Sequence, residues 1–95
     1  MKEKLRPLEP LLMPLRMIKM PEEIENIRKA ISITHEAYDK IRANIKPQMY
    51  EYEIEAIIAG IFRRHHATEA YPTIVASGPH ACTLHYEKHT RMIES

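Results

Sequence analysis

An apolar run, Thr73–Ala76, breaks at Ser77-Gly78-Pro79, and the chain then presents His85 between Leu84 and Tyr86. A strand that gives way to a loop is how a scaffold exposes a reactive side chain, and an imidazole placed there can exchange a proton or hydrogen-bond a reacting carbonyl. A histidine in this setting also serves as a hydrogen-bonded structural group, and the sequence shows no partner that would decide between the two. His85, Glu87 and His89 alternate, so on an extended strand they share one face with the donor set of a two-histidine, one-carboxylate metal site. The competing reading is an exposed polar strand edge, because H-x-E-x-H is not the helical H-E-x-x-H of zinc peptidases. Cys82 lacks the orienting acid and oxyanion feature that a thiol nucleophile needs, and is expected to be a small buried side chain. Glu51 and Glu53 are expected to open a helix, where carboxylates favour the positive end of the dipole, rather than to hold a ligand. His65 and His66 suit the negative end of the same helix for the same reason.

The elements that would position these groups follow from spacing. Pro7, Pro10 and Pro14 punctuate residues 1–20, which predicts an extended lead-in or interdomain linker instead of a continuous helix. Pro21, followed by Glu22, Glu23 and Glu25, marks a helix start. Ile24, Ile27, Ile31, Thr34, Tyr38, Ile41 and Ile45 then recur at spacings of three and four, predicting a helix of about 37 Å to Ile45, closed by Pro47. A second helix is predicted from Glu51 to His65, with Ile54, Ile57, Ile58, Ile61 and Phe62 as its apolar stripe. Thr73–Ala76 reads as a strand rich in β-branched residues, and Leu84–Tyr86 as a second short strand or strand edge.

Composition narrows the function. The chain has 95 residues, enough for one small domain with a thin core. A formal net charge of +1 gives no electrostatic footprint for nucleic acid or an anionic membrane. The longest apolar run near the N-terminus, Leu11–Leu12–Met13, is too short for a signal-peptide core or a membrane span. One cysteine cannot form an internal disulfide, so a cytoplasmic location is expected. The only aspartate, Asp39, falls inside a predicted helix.

The run Tyr71–Tyr86 resembles the "Y-P-x-I-V-A-S-G-x-N-A-x-x-L-H-Y" segment of the aminopeptidase P (Xaa-Pro aminopeptidase) branch of the creatinase/methionine aminopeptidase "pita-bread" metallopeptidases. The resemblance extends to "L-R-x-I-K-x-P-x-E-I-x-x-I-R-x-A" at Leu15–Ala30, "P-x-M-x-E-x-E-x-x-A" at Pro47–Ala56 and "F-x-R-H-x-A" at Phe62–Ala67. It implies an α/β fold class: the N-terminal portion of a pita-bread domain, two long amphipathic helices followed by short strands, spanning 21–95 after the 1–20 lead-in. It further implies a parent reaction in which metal-activated water releases the N-terminal residue of a peptide with proline at the second position, using Mn(II) or another divalent pair. In such enzymes the metal ligands lie downstream of this segment, so no metal or cofactor is expected within this chain and the polypeptide alone is expected to be inactive. His85 matches the "L-H-Y" histidine, which lines the active site outside the primary metal shell, positions the substrate and stabilises charge on the scissile carbonyl.

The chain departs from the family pattern at three turns: His66 replaces a turn glycine, His80 an asparagine, and Gln48 the glycine of "P-G-M". Expected partners are the peptide substrate of the parent enzyme and further copies of the chain, through apolar helix faces left uncovered; no nucleic acid or membrane is expected. Two other classes fit the residues: a small helical interaction module using those faces, and a metal-binding module through His85, Glu87 and His89.

Overall fold

A computed structural model describes residues 6–94. Helix α1 spans Glu9–Met17, α2 Pro21–Asn44 and α3 Glu51–Arg64, and a short 3-10 helix covers Gly78–Cys82. The molecule is elongated, measuring 60 × 33 × 19 Å.

The lead-in is not wholly extended, as its prolines predict, because their positions permit a short helix. Pro10 sits in the first turn of α1, where its missing N–H has no helical acceptor in any case, while Leu11 and Leu12 both donate to the Leu8 carbonyl. Pro14 lies inside the helix and forgoes only the bond to the Pro10 carbonyl. Residues 1–5 of the predicted lead-in lie outside the described residues. No side chain of α1 is buried.

The two predicted long helices form within a residue of the expected bounds. At each N-terminus the N3 glutamate reaches back: Met20 N–H donates to Glu23 Oε2 and Tyr50 N–H to Glu53 Oε2, both at 2.7 Å. Helix α2 packs against α3, and Ile33, Ala37 and Ile61 form the core, with Phe62 and Ala67 against them. The α3 stripe is placed as expected, with Ile54 and Ile61 buried. The α2 stripe is not. Ile24, Ile27, Ile31, Tyr38 and Ile45 are all exposed, and the buried positions of α2 are Ile33 and Ala37. Helix α2 is apolar on more than one face, and the face carrying the small Ala37 is the one that lets a neighbouring helix approach closely.

The α/β class is overturned: among the described residues the chain is helical, with no strand. Thr73–Ala76 and Leu84–Tyr86 have the composition of strands but no neighbouring ladder, and β-branched residues form a strand only where a partner takes their backbone bonds. Ser77 N–H is instead satisfied by a carboxylate, and His85, at φ 50°, breaks the extended conformation outright. An isolated antiparallel bridge joins Tyr50 and Met92.

Candidate functional site

The start of α3 organises everything that follows it in the chain. The first N–H groups of a helix lack intrahelical acceptors, and here the C-terminal segment supplies them. Glu51 N–H donates to the Arg91 carbonyl at 2.9 Å and Tyr52 N–H to that of His89 at 3.1 Å. Just ahead of the helix, Gln48 N–H donates to the Ile93 carbonyl and Ile93 N–H to that of Met49. Residues 89–93 are thereby fastened across the positive end of α3.

The Glu51 side chain, fully buried, closes the assembly. Its Oε1 accepts from Ser77 N–H at 2.7 Å and Ser77 Oγ at 2.8 Å. Its Oε2 accepts from the Tyr86 hydroxyl at 2.7 Å and Arg91 N–H at 3.1 Å. Burial alone would push this carboxyl up, but the bonds from Tyr86, from the side chain and backbone of Ser77, and from Arg91 N–H outweigh it and hold it at about 2. One ionised side chain therefore ties together the start of α3, the loop ahead of the 3-10 helix, the residue after His85 and the C-terminal segment. The Tyr86 hydroxyl also accepts from Thr90 N–H at 3.2 Å. The entry to the 3-10 helix favours glycine: Gly78 has φ 50°, and a β-carbon on it would press on the flexible end of the Arg91 side chain, 2.9 Å from its Nε.

His85 lies in this frame at positive φ, its side chain exposed, beside the buried Tyr86. Glu87 is exposed as well, whereas His89 is buried with Nε2 unpartnered. The one-face arrangement expected of His85, Glu87 and His89 does not form, because His85 and His89, at φ 50° and 48°, break the alternation that an extended strand would give. Among the described residues no three His, Cys, Asp or Glu side chains converge to hold a metal ion. As placed among the described residues, these donors do not fit a divalent ion. Cys82 is exposed, contrary to the buried thiol expected. His66 and Gln48 both adopt positive φ, 55° and 72°, as positions where glycine is favoured would. His65 Nε2 meets Glu36 Oε2 at 2.6 Å, which ties the end of α3 to α2.

Glu51 is the residue that spacing alone assigned to helix initiation. One signal for its second role was available. Glu53, at N3, performs the backward capping of α3, so a carboxylate at N1 has only its favourable position on the dipole as a helical task, a weak signal that does not point to its partners.

The chain as a whole is similar to known proteins. Residues 25–95 match the model of Metallopeptidase family M24, and the chain belongs to that family. Among its relatives are the Xaa-Pro aminopeptidase of Haemophilus influenzae, 41% identical over 83 residues, and that of Escherichia coli, 41% identical over 78 residues. These alignments cover 86% and 81% of this chain but 19% and 18% of the respective relatives. The solved structure of proline aminopeptidase P II from Yersinia pestis superposes with a TM-score of 0.86 at 35% identity, covering 92% of this chain and 20% of that one. The chain thus spans about a fifth of the length of these relatives.

Proposed function

We propose that this chain corresponds to a substrate-facing part of an Xaa-Pro aminopeptidase, with His85 positioning a peptide that carries proline second and stabilising charge on its scissile carbonyl. The observation that carries this reading is the presentation of His85: an exposed imidazole on a positive-φ backbone, beside a tyrosine whose hydroxyl is fixed to a buried carboxylate. A hydrogen-bond donor placed where charge develops in the reaction stabilises it. In the parent enzyme a divalent pair, Mn(II) or another, would be held by residues outside those described and would supply the activation of water. A cytoplasmic location accords with the lone, exposed Cys82; among the described residues no helix is long and apolar enough to cross a membrane.

The test is a segment exchange in which this chain replaces the matching residues of the Escherichia coli Xaa-Pro aminopeptidase. The hybrid is expected to release the residue preceding proline, and His85→Ala is expected to lower kcat by about 10²–10³-fold with a smaller change in KM. A hybrid whose turnover is indifferent to His85→Ala would refute the assignment. The 95-residue chain alone is expected to leave an Xaa-Pro peptide intact in the presence of Mn(II); turnover by a host-free preparation would contradict that.

A further inference from the structure

His80 approaches Glu51 from the 3-10 helix. Its Nδ1 is buried without a hydrogen-bond partner and lies 3.5 Å from Glu51 Oε1, longer than a good hydrogen bond but well within Coulomb reach. The ring lies 4.4 Å from that of Tyr86, tilted by 36°, so the phenol that donates to Glu51 also backs the imidazole. About a third of the His80 side chain, 36%, reaches solvent, and since Nδ1 is buried, solvent meets the ring at its other edge.

A neutral imidazole has one N–H and one lone pair, and the neighbour of each nitrogen selects between the two tautomers. A lone pair on Nδ1 would face the anionic Oε1 and be repelled, whereas an N–H there is attracted. We propose that Glu51 and His80 form a carboxylate–imidazole pair in which Nδ1 carries the proton and Nε2 is presented as an acceptor to an N–H or O–H group of a bound peptide. Glu51 is then a positioning residue and His80 a second imidazole of the site, in addition to His85. The peptide as ligand rests on the function proposed above; the pair and its tautomer do not.

The experiment is long-range proton–nitrogen NMR of the histidine rings in the ¹⁵N-labelled chain, recorded on neutral imidazole. His80 is expected to show a protonated Nδ1 and an unprotonated Nε2. In Glu51→Gln that pattern is expected to be lost in favour of the Nε2–H form that free histidine prefers, with the exposed His35 unchanged. A protonated Nε2 on neutral His80 in the unsubstituted chain would overturn the pair, as would an unchanged His80 tautomer in a folded Glu51→Gln chain. If Glu51→Gln does not fold, the unsubstituted spectrum decides alone. No turnover is read, so a failure of the pair is distinguishable from a failure of the peptidase assignment.

Discussion

Glutamine in place of Glu51 keeps the shape of the side chain and reverses half of its chemistry. Its NH₂ would face donors on Ser77 or on Tyr86 and Arg91 that now point at a carboxylate oxygen. Hydrogen bonds to a buried charge are stronger than neutral ones, and donors left unsatisfied in the interior are costly. Glu51→Gln is therefore expected to lower unfolding stability at pH 7 by about 2–3 kcal/mol in urea titrations. The same residue sets an acid limb. Its folded-state carboxyl is held at about 2, below its ordinary 4.5, so its stabilising contribution is fully present above the ordinary value. That contribution fades as the pH falls from there through 2, the range in which the unfolded chain takes up the proton first. Glu69, lowered by its own backbone N–H and by Arg63, adds to the same limb. Stability measured against pH is expected to fall less steeply over this interval in Glu51→Gln than in the unsubstituted chain; identical slopes would show that Glu51 is not the titrating group. His85 was legible as a candidate because it follows a strand-like run broken by Gly and Pro. Glu51 was not, because nothing in local spacing shows that Ser77, Tyr86 and Arg91 return to it from far along the chain.

Helices were readable from proline placement, terminal charge and three-four spacing, and both long ones close where Pro47 and the basic last turn of α3 predict. The choice of buried face was not readable on α2, where isoleucines cover the exposed side and the contact with α3 is made through Ile33 and Ala37. This gives a prediction in which residue type is held constant. Ile61→Ala removes a core side chain and is expected to cost about 2–4 kcal/mol, whereas Ile27→Ala, on the exposed face, is expected to cost below about 1 kcal/mol. Comparable losses at both positions in denaturant titrations would mean that the exposed face is covered in solution. The strands failed for a different reason. A helix satisfies its backbone within itself, but a strand depends on a neighbour, and no property of Thr73–Ala76 supplies one.

Among the described residues, many large apolar side chains are left uncovered. Leu11, Leu15 and Ile18 around α1, and Ile24, Ile27 and Ile31 on α2, are 40–80% exposed. Surface of this extent drives association when nothing covers it. Sedimentation at tens of micromolar, on the order of where moderate affinities become visible, is expected to show concentration-dependent species that Leu11→Glu with Leu15→Glu suppresses. A concentration-independent monomer would contradict this. Family membership was legible because several short blocks agree in order along the chain, and no single block would have been enough. How the catalytic proposal hangs together is tested by a double-mutant cycle in the hybrid Escherichia coli enzyme, comparing kcat/KM for an Xaa-Pro peptide in the unsubstituted segment, Glu51→Gln, His85→Ala and both together. If Glu51 serves turnover in part by fixing the backbone that presents His85, Glu51→Gln costs less in the His85→Ala background than in the unsubstituted segment, the remaining loss being its part through His80. Losses that multiply, with all four proteins folded, would show that the two residues act independently and that the carboxylate hub does not hold the imidazole for its task.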